Sequence, residues 1–184
     1  LNYFHFPVGF GTLLISWSSQ GLLSRIEWAE SRLAWLEKVK VPPYLADLID
    51  QIRGYFYAGE PIDSIPWGYL DQSEWTDFQK KVYRAIAEIP HGETRTYGWV
   101  AKKIEHPAAS RAVGQALRKN PLPILIPCHR VLASSSIGGF MGVIDPSQPE
   151  LKLKQKLMSL EDGYRCPAFA FFPYTNTRHI NNAF

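Results

Sequence analysis

The reactive side chains gather in one short stretch. In "NPLPILIPCHRV", Asn120 to Val131, three prolines and an aliphatic run precede Cys128, His129 and Arg130. Pro127 fixes its own φ and restricts Ile126 to extended conformations, and Pro121 and Pro123 act likewise upstream. The sulfur of Cys128 is therefore placed by covalent stiffness as well as by packing. A free cysteine titrates at about 8.5, so only a few per cent is thiolate at neutral pH. A nucleophilic role needs a base or a positive field, and His129 and Arg130 are adjacent. If the segment is a strand, Cys128 and His129 point to opposite faces, and a bridging water or a bend must join them. The plain alternative is a small buried hydrophobe, the commoner fate of a lone cysteine.

The elements that must hold this stretch are readable around it. "GTLLISWSS" alternates, with Leu13, Ile15 and Trp17 on one face, and "LLSRIEW" follows a turn near Gln20-Gly21, so the pair reads as a hairpin. "PPYLADLIDQIRGYFYAG" opens on prolines, spaces Leu45, Leu48, Ile49, Ile52, Tyr55 and Phe56 as a helix face, and stops at Gly59. "EPIDSIPWGYLDQ" reads as a linker, with a domain boundary near residue 72. Thr76 and Gln79 form a capping box before a helix that buries Val82, Ala85, Ile86 and Ile89. "TYGWVAKKI", capped by Thr96, and "PAASRAVGQALRK", with Pro107 at its first position and Asn120 in the left-handed closing position, read as two helices joined by a tight turn. With a strand-like "PILIP" behind them they fit a helix-turn-helix.

Charge marks the same region. Residues 1–94 carry eight basic against twelve acidic side chains, whereas residues 95–130 carry seven basic against Glu105 alone. Such a concentration suggests a polyanion footprint, or more plainly a solvated helical face. Ala108, Ala109, Ser110, Ala112 and Gly114 make one side of the second helix nearly smooth, beside Arg111, Arg118 and Lys119. Close helix packing explains small residues, but a smooth helix bearing a long cation also suits approach to a nucleic-acid groove. The 184 residues, 46% hydrophobic and 20% charged, describe an ordinary globular protein. No apolar run approaches a membrane span, and the opening "LNYFHFPVGF" lacks the pattern of a secretory signal. Two cysteines make no disulfide framework, so free thiols in the cytoplasm, or in a nucleus, are expected.

Taken together, "GETRTYG" at 92–98, "RAVGQALRKNP" at 111–121, "NPLPILI" at 120–126 and "PCHRV" at 127–131 resemble the O6-alkylguanine-DNA alkyltransferase family, over about residues 76–161. The resemblance implies a fold and a chemistry. The fold is α/β (α+β): the linker sets off an N-terminal sheet-plus-helix domain over 1–72, the resemblance implies a winged helix-turn-helix-like domain for DNA binding and alkyl transfer over 73–165, and an aromatic-rich tail over 166–184 lies beyond the match. The chemistry is irreversible transfer of an alkyl group from O6-alkylguanine, or O4-alkylthymine, in duplex DNA to Cys128, once per chain and with no cofactor or metal. Cys128 matches the nucleophile, His129 the residue that takes its proton through a water, and Glu161 the carboxylate that orients the histidine. Asn120 matches the asparagine that braces the turn, and Tyr97 the hydroxyl that protonates departing guanine. Arg111 matches the arginine that fills the space of the flipped nucleotide. Ala109, Ser110, Ala112, Gly114 and Arg118 correspond to the minor-groove surface, Ser134 to a loop contact, and Pro123, Phe140 and Met141 to the pocket. The expected partner is double-stranded DNA, met by a monomer.

The physics agrees with those roles. O6 of guanine lies inside the base stack, so a nucleophile on a globular protein reaches it only if the nucleotide swings out, at a cost of a few kcal/mol. The chain also departs from the family. Where a Tyr-x-Gly-Gly loop is usual it has Phe140-Met141-Gly142-Val143, followed by an insertion carrying Pro146 and Pro149. The bulk of Met141 leaves the accepted alkyl size open. The N-terminal zinc ligands of some members are absent, and His5 and His91 read as surface or turn histidines. The tail aromatics Phe169, Phe171, Phe172 and Tyr174 are expected to pack on the body, with Cys166 incidental. Three other readings remain at this level: a sensor of the same fold that binds lesions without transfer, a plain helix-turn-helix regulator, and a cysteine hydrolase.

Overall fold

The structure, a computed structural model, describes residues 2–8, 11–29, 41–62 and 64–161. The tail aromatics and Cys166 lie outside the described residues, as does Asp162 onward. Three strands, β1 (Asn2–Val8), β2 (Gly11–Trp17) and β3 (Leu23–Ala29), form an antiparallel meander in that order. The expected hairpin is its β2–β3 half, and Gly21 turns it at φ 79°. Leu13, Ile15 and Trp17 are buried as their alternation requires. Strand β1 escaped the sequence reading. "NYFHFPV" carries aromatics on both faces and a proline, and its register with β2, from Asn2–Trp17 to Val8–Gly11, makes it a strand.

Helix α1 (Pro43–Ala58) begins with proline in its first turn and ends on Gly59 at φ 68°, a left-handed stop that glycine adopts at little cost. Its buried face is the expected one, Leu45 through Phe56. Helix α2 (Asp77–Ala87) carries the full capping box, Gln79 N–H to Thr76 Oγ1 and Thr76 N–H to Gln79 Oε1. Short strand β4 (Arg95–Thr96) leads into α3 (Tyr97–Lys103), which Thr96 caps through the Trp99 amide. Helix α4 spans Ser110–Arg118 and is followed later by β5 (Val131–Leu132) and α5 (Pro149–Leu160). Among the described residues no helix is long and apolar enough to cross a membrane.

Two sequence expectations fail around α4, and both failures are local. The helix begins at Ser110, not Pro107, because residues 106–109 form a turn closed by Ala109 N–H to His106 O. Glu105 rather than Asn120 takes the left-handed conformation, at φ 64° in the α3–α4 turn. The C-cap of α4 is Lys119 at φ −92°, which frees the Asn120 side chain for the next segment.

"PILIP" is not a strand. Its two prolines, Pro123 and Pro127, remove two of the amides a ladder would need, and Pro121 just upstream removes a third. The chain coils instead, with Ile126 N–H donating to Leu122 O at 2.8 Å and Ile124 held at φ 77°. It emerges into a 3₁₀ turn at Cys128–Arg130, closed by Arg130 N–H to Pro127 O, so Cys128 and His129 are not set on opposite faces of a strand. Parallel pairing of β4 with β5, Arg95 to Val131 and Thr96 to Leu132, brings Tyr97 beside the chain that leaves this turn. The β3 edge reaches the same segment through Ile26 N–H to Pro121 O at 2.9 Å. One hydrophobic core runs from Leu13 and Leu45 through Val82 and Val113 to Ile126.

Candidate active site

Cys128 is 6% exposed, yet it lines a cleft of about 410 Å³ walled by Tyr97, Ser110, Arg111, Gly114, Arg118 and the 138–144 loop. Asn120 sets the approach to it. Its Nδ2 donates to Ile126 O at 2.8 Å and its Oδ1 accepts from Leu122 N–H at 3.0 Å, and its side chain near the thiol favours the thiolate. Burial pushes the Cys128 thiol above its ordinary value, and Asn120 and the Lys154 charge only partly offset that. At rest the sulfur therefore holds its proton and needs a base.

The adjacent imidazole of His129 is chemically able to act as one. It is fully buried, and its Nε2 lies 2.7 Å from Glu161 Oε1. A carboxylate can only accept, so Nε2 carries the proton and Nδ1 keeps a free lone pair. Nδ1 has no hydrogen-bond partner among the described residues. Burial holds the imidazole below its ordinary value, against the opposing pull of Glu161, so it rests neutral.

Glu161, at the end of α5, is 5% exposed and heavily bonded. Its Oε1 accepts from Tyr55 Oη at 3.0 Å and Arg130 Nη2 at 3.0 Å, and its Oε2 from Gly92 N–H at 3.0 Å and Arg130 Nε at 2.9 Å. Burial alone would raise its carboxyl, but the bonds and charges of His129 and Arg130 outweigh burial and hold it well below the usual range. Arg130, whose Nη1 also donates to Ile89 O at 2.7 Å, is thus a clamp on the carboxylate. The sequence suggested a cation for the thiol; that cation is Lys154 instead. Lys154 is fully buried on α5, and its ammonium donates to Val131 O at 2.6 Å, Ile137 O at 2.7 Å and Gly139 O at 3.1 Å. Burial lowers its pKa to about 7, and the nearby Cys128 sulfur opposes the shift.

Tyr97 donates to Gly139 O at 3.3 Å. Its ring sits so close to Gly138, at φ 71°, that a Cβ there would lie 2.9 Å from Cε2. Glycine at 138 lets the loop close on the tyrosine. Phe140 and Val143 then exchange both backbone hydrogen bonds at 2.9 Å, with Met141 at φ 50° and Gly142 at φ 89° between them. Two positive φ angles make this a two-residue type I′ hairpin turn, in which Met141 holds a conformation natural to Asn or Gly.

Of the residues singled out in the sequence, Cys128, Tyr97, Phe140, Met141, Ser110, Arg111, Gly114 and Arg118 line the cleft. His129, Glu161 and Asn120 stand behind it. Pro123 is buried in the turn and is not among the lining residues, and neither are Ala109, Ala112 or Ser134, of which Ala112 and Ser134 are exposed. The basic cluster thins on inspection, because Arg95 pairs with Glu93, Lys103 with Glu88 and Arg130 with Glu161. Arg111 is exposed and has no charged partner among the described residues. No group of three or more His, Cys, Asp or Glu side chains there could hold a metal ion.

Sequence reasoning missed Tyr55 and Lys154. Lys154 had a signal: on α5 it shares helical phase with Leu151, Met158 and Glu161, so a lysine falls on the buried face. Tyr55 had none, being one aromatic among the apolar residues of α1.

Comparison with known proteins agrees with this geometry. Residues 77–163 match the family model described as 6-O-methylguanine DNA methyltransferase, DNA binding domain. A methylated-DNA–protein-cysteine methyltransferase of Methanosarcina acetivorans is 36% identical over 167 residues, 84% of this chain and 98% of the relative. The constitutive one of Bacillus subtilis is 39% identical over 136 residues, 71% and 75% of the two chains. Among solved structures, the O6-methylguanine methyltransferase of Mycobacterium tuberculosis is similar at a TM-score of 0.67 and 31% identity, covering 90% of this chain and 94% of its own. The OGT of the same organism in complex with DNA has a TM-score of 0.65 at 31% identity, covering 86% and 91%.

Proposed function

The chain belongs to the methylated-DNA–protein-cysteine methyltransferase family, and on that premise we propose that it repairs duplex DNA by moving the alkyl group of O6-alkylguanine, or O4-alkylthymine, onto Cys128. The observation that carries this reading is the buried His129–Glu161 pair next in the chain to a cleft-lining thiol, with Nδ1 of His129 unpartnered among the described residues. His129 Nδ1 takes the thiol proton through a bridging water, and the carboxylate steadies the imidazolium that forms. The sulfur attacks the alkyl carbon, the C–O6 bond breaks, and its electrons leave with the guanine. Burial, then the nearby thiol, hold the Tyr97 hydroxyl above its ordinary value. It therefore gives its proton only to a strongly basic partner, such as departing guanine. The product is a thioether, which no ordinary reductant cleaves, so each chain acts once. Incubation with duplex DNA bearing O6-methylguanine, followed by mass spectrometry, should add one methylene to the Cys128 peptide and saturate at one equivalent. An unmodified peptide overturns the reading.

DNA is met through α4 in the minor groove by a monomer, with Arg111 entering the stack where the base has left. Its exposed guanidinium at the cleft wall, without a charged partner among the described residues, supports that role. Extrusion costs a few kcal/mol, so Arg111→Ala should slow transfer from duplex about 10–100-fold while leaving a free O6-alkylguanine base within about twofold. Equal losses on both substrates would assign Arg111 to the pocket rather than the stack.

Met141 governs the mouth of the cleft, where it is 44% exposed. A non-glycine residue in the left-handed region costs about 1–2 kcal/mol, and glycine gives back about 0.5–1 kcal/mol in chain entropy. Met141→Gly should therefore raise stability by up to about 1.5 kcal/mol. It should also speed transfer of bulky O6-alkyl groups a few-fold relative to methyl, as read in competition assays.

A further inference from the structure

We infer that Tyr55, a side chain of the N-terminal half, is a positioning residue for alkyl transfer, whose hydroxyl fixes the Glu161–His129 pair behind the nucleophile. The inference rests on the transfer reading above. Tyr55 is fully buried on α1, and its Oη donates to Glu161 Oε1 at 3.0 Å and lies 3.4 Å from His129 Nε2. Its ring packs edge-on against Phe56, His91 and His129, with centroids at 5.2, 5.9 and 6.5 Å. A phenylalanine could make those packing contacts without burying a polar group. A buried hydroxyl costs free energy unless it is paired, and here the pairing is with the carboxylate that aims the base. Burial and the negative Glu161 hold the phenol above its ordinary value, so it stays a donor.

Four attachments converge on Glu161 from separate parts of the chain: His129 and Arg130 beside the nucleophile, Gly92 in the turn after α2, and Tyr55 from α1. Among these four, Tyr55 alone comes from residues 1–72. Its hydroxyl shares Oε1 with His129 Nε2–H, so it both locates that oxygen and disperses its charge. The ionisable groups facing His129 are Glu161 and Lys154 from α5, Arg130 and Cys128 from its own turn, and Tyr55 from α1, with His91 Nδ1 3.9 Å from the shared oxygen. Remove the Tyr55 hydroxyl and Oε1 has one donor fewer, so more negative charge faces Nε2–H. His129 then binds a proton at higher pH and is lost as a base sooner on acidification. The 3.4 Å approach of the phenol oxygen to Nε2 works in the opposite sense, but it is longer and involves no charged partner, so the carboxylate effect wins.

The test is Tyr55→Phe in the full chain, with single-turnover transfer followed against pH on methylated duplex and on free O6-alkylguanine base. We expect both rates to fall by about tenfold near neutrality and the acid limb to move up by roughly 0.5–1 pH unit, with affinity for lesion duplex unchanged. Nitrogen NMR of labelled histidine reads the same shift without chemistry, as an upward displacement of the His129 protonation midpoint. A slowdown with an unmoved acid limb and an unmoved midpoint, in step with a lowered melting temperature, would reduce Tyr55 to packing and overturn the inference. A reactive wild type whose profile Tyr55→Phe leaves unaltered overturns it as well. An unreactive wild type overturns the transfer reading itself, and is distinguished by that.

Discussion

Cys128→Ser is expected to abolish alkyl uptake while leaving the fold and lesion binding in place. The substitution changes one atom at a position only 6% exposed, and so near-isosteric a swap should cost no more than about 1 kcal/mol of stability. The chemistry, by contrast, loses its premise. Burial already holds the thiol above its ordinary value, and the neighbouring imidazole is held below its own. Proton removal is therefore uphill even for sulfur. A serine hydroxyl ionises far above the thiol's value of about 8.5, close to water itself, which adds roughly 10 kcal/mol to the same step. The Asn120 side chain and the field of Lys154, which partly offset burial for the thiol, cannot cover such a gap. Methyl incorporation should fall at least about 10⁴-fold by mass spectrometry, with lesion-duplex binding intact in a gel shift. Continued methylation of the variant would place the nucleophile elsewhere. If wild type and variant bound the lesion equally and neither took up methyl, the chain would be a sensor.

How much of this could be read from residues alone depends on the range of each interaction. The capping box at Thr76 and Gln79, the stop at Gly59 and the Thr96 cap close within a few residues, and each stands as written in the sequence. Strand β1 depends on a partner across the sheet, and its own pattern is ambiguous. The turn before Cys128 is an intermediate case. Its prolines announce stiffness, but the direction of the coil depends on Asn120, whose amide bonds substitute for the ladder that the prolines forbid. The candidate site divides the same way. Cys128 and His129 are neighbours, and the family resemblance points to Glu161. Tyr55 meets Glu161 across 106 positions, and no local pattern sets a tyrosine that serves a carboxylate apart from one that fills a core.

The second large effect is expected at Glu161. In Glu161→Gln the side-chain shape survives, but an amide keeps one acceptor oxygen and turns an NH₂ toward donors. Whichever way it faces, it opposes either Tyr55 and His129 on one side or Gly92 and the Arg130 Nε on the other. Arg130, with its side chain 11% exposed, also loses the charge that pairs it. Breaking a buried pair from one side costs about 3–5 kcal/mol, and that is the loss expected at neutral pH in denaturant melts. Transfer should slow about 10²–10³-fold, because the imidazolium formed as the thiol gives up its proton has lost its counter-charge. The pH dependence separates these causes from general damage. In the wild type, the Glu161 carboxyl is held below its unfolded value of about 4.3, so its stabilisation is complete above that pH and is lost as pH falls toward the folded value. His129 is held below about 6.5, so the unfolded chain takes up its proton first, and stability declines from about that pH downward. Glu161→Gln removes the first of these; it also takes away the pull of the carboxylate on His129, so the second decline still begins near pH 6.5 but runs further down. The stability gap between wild type and variant should therefore stay near its full size down to about pH 5 and shrink below about pH 4. A gap that stayed constant through that range would mean that the glutamate is not charged in the folded chain, and that His129 is aimed by something other than a carboxylate.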